Sequence, residues 1–400
     1  MKKAIHFDVL IVYNGKLATS ASNTSETIKT PFPINSRNQA YNAVYAYFLD
    51  ICHKFSLKAA FTTSTDIIGS GFCRSFWQFK HKKWLKVKLA CFSELIFDKF
   101  SPTRKNGKSR RQLLFSSAQI KPFNNPDLYN LFFDKQKTYN KLSSYSIPTI
   151  SLTDNDLTSL RTACQDLARL IHHHPTSQDF SSDIIMKDRF GAGGRRVYRF
   201  KTGQFQSMLA TIHKNTNISY IIQPYTKFDQ GFSYHNCSAS TDIRLIYLNG
   251  HIVQSYIRVA KPGEFRCNEH KGGLLTYLSL DQIPPKLVDK SNLIAKILDK
   301  KHSLFTLDFI ISNSGNVYFL EGNTGPGLDW NVSIKKNVFE AKKLIRLVVK
   351  ELLFRINSVT TPNLLSDLTP HSGNFLTTFT TPTRLHTYQS GFAKTISFNH

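Results

Sequence analysis

Two acids sit inside strands that otherwise read as apolar. Residues 317–323, VYFLEGN, follow SLFTLDFII across the turn SNSGN, so 304–323 reads as a β-hairpin. The turn centres near Ser314–Gly315, which puts Asp308 opposite Glu321 or its neighbour in the simplest register. Glu321 and Asn323 are two apart on one strand and share a face. Carboxylates brought together are costly unless a cation or proton neutralises them. Oxygen donors of this kind suit Mg²⁺, which keeps several waters and bridges to substrate phosphates. An exposed hairpin end with two unrelated acids remains open from these residues alone.

Three further stretches could handle an anion. In DIIMKDRFGAGGRRV (183–197) an apolar strand delivers Lys187, and a loop with Gly191, Gly193 and Gly194 returns into a strand. Glycines let backbone N–H groups approach phosphate oxygens, and the lysine adds charge. No Gly-Lys-Ser/Thr closes the loop and no helix follows it, so neither a Walker A loop nor a Rossmann fingerprint fits. An ordinary glycine-rich hairpin is the competing reading. SYIIQPYTKF (219–228) is an apolar strand whose end could offer backbone groups to an adenine edge, with Tyr225 or Phe228 packing nearby. A plain buried strand is equally compatible. In TDIRLIYLNGHIVQSYIRVA an Asn-Gly turn joins two strands. Read as roughly symmetric about it, Arg244 and Arg258 would be near cross-strand neighbours on one face with an anion between them. The polar, Gly-rich Glu264–Gly273 then reads as a loop closing over a site.

The order and spacing of these segments resemble the ATP-grasp superfamily, in its glutathione-synthetase and RimK-type glutamate ligase branch. The pattern runs through Asp134-Lys135, Lys187 before its Gly-rich loop, Gln223 at the start of a hinge, Asp242-Ile243-Arg244, Arg258, Gly263–Gly273, and Asp308…Glu321-x-Asn323-x-x-Pro326-Gly327. It covers about residues 130–350. The resemblance implies an α/β (α+β) ATP-grasp fold with an N-terminal α/β pre-ATP-grasp domain. It implies that Lys135, Lys187 and the loop Gly191, Gly193 and Gly194 hold ATP phosphates, and that Gln223 and Tyr225 line the adenine pocket. Asn268 would be a further nucleotide contact. Asp308, Glu321 and Asn323 would bind Mg²⁺, with Mn²⁺ as a substitute. Arg258, with Arg244, would stabilise the transferring phosphoryl group. One departure is Pro224, where the hinge often carries an acid; Asp229 is the replacement candidate for the ribose. The implied activity is ligation of a carboxylic acid to an amine through an acyl-phosphate, which needs positioning and charge neutralisation. No Ser-His-Asp or Cys-His set for covalent catalysis is visible.

Elements must position these groups. FDVLIVY reads as a first strand and RNQAYNAVYAYFLDICHKFSL as a helix, giving a small α/β domain over 1–130. A helix in FFDKQKTYNKLSSYS ends before Ile147-Pro148, and DNDLTSLRTACQDLARLIHHH is a helix capped by Asp or Asn and stopped by Pro175. Strands dominate 183–323, a helix DKSNLIAKILDKK precedes the acidic hairpin, and another, VSIKKNVFEAKKLIRLVVKELLFRI, follows it. The domains implied are 1–130, a lid subdomain 131–225, a core subdomain 226–358, and a Thr-, Pro- and Ser-rich tail 359–400 expected to be mobile.

The chain has 400 residues, 41% hydrophobic and 20% charged, which suits a globular protein. Lys and Arg number 52 against 27 acids, a net charge of +25. That favours anionic partners: nucleotide phosphates, acidic substrates, RNA or ribosomes. A lineage-wide lysine bias is the competing explanation. The 6 cysteines (Cys52, Cys73, Cys91, Cys164, Cys237, Cys267) show no Cys-x-x-Cys pair, so reduced thiols in a cytoplasm are expected. No stretch approaches the roughly 20 apolar residues of a membrane span. The basic segments 80–88 and 101–112, the second expected as an exposed loop, read better as solvated faces than as RNA sites. His172–His174 read as a solvated helix end, and nothing marks Cys267 as an activated thiolate. The alternatives to the ligase are a basic nucleic-acid- or ribosome-associated binder on the same scaffold, and an ATP-grasp enzyme with a non-amine acceptor.

Overall fold

The computed structural model describes residues 4–36, 38–100, 105–234, 239–300, 302–328 and 333–360. They belong essentially to one compact body, Met1–Asn357. In chain order the first region contains β1 (Ile5–His6), β2 (Val9–Tyr13), α1 (Tyr41–Lys54), β3 (Ala59–Thr63), β4 (Ile67–Gly69), β5 (Phe72–Cys73), β6 (Phe76–Lys80), β7 (Lys83–Val87), β8 (Cys91–Phe92), β9 (Leu95–Lys99), α2 (Lys105–Leu114) and β10 (Lys121–Pro122). Its larger sheet has the order β10-β9-β2-β3-β6-β7, with β10, β9, β2 and β3 parallel and β6 and β7 antiparallel. The smaller sheet is β1-β8-β5-β4. Within the basic segment 101–112 the described residues are not a loop: α2 begins at Lys105, and Arg111 near its end packs on the Phe115 and Tyr129 rings.

Next come α3 (Pro126–Phe133) and α4 (Lys135–Leu142), where the sequence suggests one helix. Asp134 divides them, because its extended backbone lets the side chain accept from Gln136 N and Lys137 N and so start a new helix. The elements expected to form the lid follow: β11 (Ile150–Ser151), α5 (Leu157–His172), β12 (Phe180–Asp188), β13 (Val197–Phe200), α6 (Phe205–His213) and β14 (Tyr220–Thr226), with an antiparallel sheet β11-β14-β12-β13. α5 is capped by Asp156, whose side chain accepts from Ser159 N. Leu160, Ala163 and Leu167 of α5 and Met208 and Ile212 of α6 bury Met186, Tyr220 and Ile222 on one face of this sheet. The other face is left to the cleft.

The core sheet is antiparallel, β17-β16-β15-β18-β19. Its strands are β15 (Thr241–Leu248), β16 (His251–Val259), β17 (Leu274–Leu278), β18 (Leu304–Ile311) and β19 (Val317–Asn323), and α7 (Pro285–Leu298) precedes β18. The last helix, α8 (Lys335–Thr360), buries Ala341, Leu344, Ile345, Val348, Val349 and Leu352 at helical spacing. These side chains share one apolar cluster with Val9, Ile11 and Phe48 of the first region and Ile246 and Leu248 of the core. At about 1.5–3 kcal/mol per buried aliphatic side chain, that seam fixes the first region against the core sheet. The expected tail 361–400 lies outside the described residues; 359 and 360 continue α8.

Candidate active site

Strand alternation decides what the lid presents. Met186 is fully buried beneath the lid helices, so Ile185 and Lys187 point into the cleft on the opposite face. The cleft is open to solvent at its mouth and is lined by residues of both sheets. The Lys187 ammonium makes no hydrogen bond or ion pair among the described residues. Burial, and then the nearby Lys135, push its ammonium down from 10.5 to about 8, with Glu321 opposing.

Lys135 opens α4. The Asp134 cap accepts two hydrogen bonds from Arg189, Nε and Nη2 both at 2.7 Å, which tie the start of α4 to the turn after β12. Lys135 Nζ donates to the carbonyl of Gly191. The two lysines and the glycine loop therefore face one another. Gly193 and Gly194 have φ of +67° and +66°. A Cβ on Gly194 would lie 2.3 Å from Asn268 Oδ1, so the glycine loop rests directly on the core loop that carries Asn268. At the hinge, Gln223 Nε2 donates to Thr149 Oγ1 at 2.6 Å, and Tyr225 is stacked under the guanidinium of Arg199, 3.6 Å from its ring centroid.

The core wall differs from the sequence expectation in its register. The Asn249–Gly250 turn pairs Leu248 with His251, and an irregularity between Ile246 and Tyr247 shifts the ladder. Arg258 consequently faces Asp242, and Arg244 faces Tyr256 on one side and Asp308 on the other. The arginines are not directly opposed, and the anion they share is the protein's own Asp308. Arg258 Nε and Nη2 donate to Asp242 at 2.7 and 2.9 Å, and Nη2 also to Asp308 Oδ2 at 2.9 Å. Arg244 Nε donates to Asp308 Oδ1 at 2.6 Å. Burial would raise the Asp308 carboxyl, but Arg244 and Arg258 outweigh it and hold it below the usual range. The result is a buried row of alternating charges, Asp242–Arg258–Asp308–Arg244.

Glu321 is the register partner of Asp308, and Asn323 that of Thr306. Gly322 between them faces α3, where a Cβ would lie 2.3 Å from the Phe132 ring. Its lack of a side chain lets β19 lie against α3 while Glu321 and Asn323 share the other face. Neither side chain makes a hydrogen bond or ion pair among the described residues. They offer free oxygen donors beside Asp308, whose oxygens are held by arginines. A carboxylate, an amide and a shared second carboxylate fit the oxygen chemistry of Mg²⁺. Among the described residues no three His, Cys, Asp or Glu side chains form a metal cluster by themselves.

Lys135, Lys187, Gly191, Gly193, Gly194, Gln223, Tyr225, Arg258, Asn268, Asp308 and Glu321 all line the cleft. Arg244 and Asn323 are not on its lining, and Asp229 stands apart, accepting from Asn313 Nδ2 at 2.9 Å at the protein surface. The sequence reading missed Arg195 and Arg266, which also line it; the doubled arginine after Gly193-Gly194 was the available signal. Cys267 is buried and its thiol is pushed well above the usual range, mainly by desolvation, as befits a packing residue.

A family model described as a RimK-like ATP-grasp domain matches residues 134–348, more than half of the chain. A probable alpha-L-glutamate ligase of Shewanella pealeana is 26% identical over 217 residues, 54% of this chain and 41% of that protein. One from Legionella pneumophila strain Corby is 26% identical over 220 residues, 54% of this chain and 63% of that one. The chain thus spans less than two thirds of the curated relatives' length. Among solved structures, D-cycloserine synthetase DcsG superposes with a TM-score of 0.53 at 14% identity, covering 85% of this chain and 99% of that one. D-alanyl-alanine synthetase A from Vibrio cholerae gives 0.53 at 14%, covering 88% and 100%. At such identities the two structures establish the shared fold.

Proposed function

The chain belongs to the RimK-like ATP-grasp family, and from that premise we propose that it is an ATP- and Mg²⁺-dependent carboxylate–amine ligase. The observation that carries the reading is the convergence of Lys135, Lys187, the glycine loop, Arg258, Asp308 and Glu321 on one cleft between the lid and core sheets. A carboxylate is a poor acylating agent. Transfer of the γ-phosphoryl group of ATP to it gives an acyl-phosphate and ADP, and an amine then displaces phosphate to form the amide.

The residues divide this work. Lys135 and Lys187 bind the polyphosphate, and the glycine-loop N–H groups approach its oxygens. Gln223 and Tyr225 bound the base pocket, with Tyr225 held flat by Arg199. Glu321, Asn323 and Asp308 would hold the Mg²⁺, whose charge neutralises the phosphate oxygens; Mn²⁺ is the natural substitute. Arg258, fixed by Asp242, keeps a positive charge at the core wall, and Arg244 orients Asp308 from behind. Asp229, at the surface against Asn313, is a weak ribose candidate in this scheme. The domains are assigned as 1–130, 131–225 and 226–358. The names of the relatives suggest glutamate as the amine or the acid. The RNA or ribosome partner expected from the charge rests on that charge alone, and the cleft favours nucleotide phosphate as the anion.

The test is ADP formation by the purified chain with Mg²⁺-ATP across a panel of amino acids and short peptides. ADP should appear with at least one pairing, and Glu321→Ala should abolish it. No binding of ATP at millimolar concentration would refute the proposal.

A further inference from the structure

The cleft cations are not equally available to a ligand. Arg258 is ion-paired with Asp242 and Asp308, and Arg266 with Glu264. Lys135 is directed onto the Gly191 carbonyl. Two remain with no hydrogen bond or ion pair among the described residues: Lys187, and Arg195 of the glycine loop, which the sequence reading passed over.

The loop is built to hold Arg195 over the cleft. Asp188, itself buried, accepts from Phe190 N at 2.9 Å through Oδ1 and from Arg196 Nη1 at 3.2 Å through Oδ2. Its backbone N–H donates to Arg196 O at 3.2 Å, and its carbonyl accepts from Gly191 N at 3.1 Å. One side chain thus staples both ends of the 190–196 turn. Arg196 is left at φ +54°, a conformation uncommon for a non-glycine residue, and its ion pair with Asp188 holds it there. The consequence is a division of labour between two adjacent arginines. Arg196 is turned back to lock the loop, and Arg195 faces the cleft.

We infer that Arg195 is a substrate-contacting residue that grips the nucleotide's terminal phosphates from the lid side, opposite the Glu321 wall, and that Asp188 is its positioning residue. The inference rests on the ligase reading for the identity of the anion. A guanidinium fork suits paired phosphate oxygens better than a lysine ammonium does. Arg195 starts exposed and unpaired, so engaging a phosphate breaks no existing ion pair. Arg258 already spends Nε and Nη2 on two aspartates, so its charge is offset before a phosphate arrives.

The experiment measures dissociation constants of fluorescent Mg²⁺-ATP and AMP analogues for the full chain and for Arg195→Gln, Arg195→Lys and Asp188→Asn. Arg195→Gln should weaken ATP by about tenfold or more, in line with loss of a charged hydrogen bond, and leave AMP within about twofold. Arg195→Lys should recover part of the loss. Asp188→Asn should weaken ATP too, and adding Arg195→Gln to it should cost less than Arg195→Gln alone costs. Arg195 is exposed, so its variants should melt as the wild type does. ATP affinity unchanged in Arg195→Gln, or ATP and AMP weakened equally, would overturn the inference. A wild-type chain that does not bind ATP would instead overturn the ligase reading.

Discussion

Replacing Lys187 by methionine should make the ligand-free protein more stable while removing its grip on ATP. The buried lysine keeps its charge at neutral pH against the desolvation that draws its pKa from 10.5 to about 8. At about 1.4 kcal/mol per tenfold, that difference corresponds to about 3 kcal/mol of cost to the folded state while the amine is charged. The unfolded chain keeps its proton up to the ordinary lysine value, so between about pH 8 and 10.5 it binds more protons than the folded one. Stability from this group therefore rises with pH across that window and is lowest below pH 8. Lys187→Met removes the group, so the variant should exceed the wild type at pH 7 by up to about 3 kcal/mol in urea unfolding. The gap should close as pH rises toward 10. Comparing the two proteins cancels the other lysines and tyrosines that titrate there. In the same samples the variant should bind Mg²⁺-ATP about 10- to 100-fold more weakly. A variant less stable than the wild type at pH 7, or a gap that does not narrow above pH 8, would refute the reasoning.

Two other perturbations separate site from scaffold. Arg258→Met strands Asp242 and part of Asp308 in a buried setting and should cost about 3–5 kcal/mol in urea unfolding; adding Asp242→Asn should restore a large part of it. Gly322→Ala drives a methyl into the Phe132 ring and should cost about 1–3 kcal/mol, with a loss of Mg²⁺-ATP affinity as Glu321 and Asn323 are displaced; calorimetric melting and nucleotide titration would register both.

The acidic hairpin was legible because a short turn and a period of two leave little freedom: Asp308 and Glu321 are register partners as the turn predicts. The lid strand with Lys187 was legible for a similar reason, since a run of Ile, Ile and Met must alternate between helices and cleft. The arginines lie near each other on one face as expected but are not directly opposed, because the Asn249–Gly250 turn pairs Leu248 with His251, which sets Arg244 toward Ser255, and the irregularity at Ile246–Tyr247 moves its partner only to Tyr256. Helix α2 was read as a loop because its Lys, Asn, Gly and Arg residues have poor helical pattern, and tertiary contacts of Arg111 with Asp98 and Tyr129 override it. Arg195 escaped notice because two adjacent arginines look alike in sequence. Only the backbone at Arg196 and the staple from Asp188 give them different directions.

Trapping the activated acid tests the central claim most directly. The purified chain would be incubated with Mg²⁺-ATP, hydroxylamine and each member of a panel of amino acids, and assayed for hydroxamate and nucleotide products. The ligase account predicts hydroxamate and ADP in equal amounts with the true acid, and neither from Glu321→Gln. AMP and pyrophosphate in place of ADP, or hydroxamate formed equally by Glu321→Gln, would contradict it.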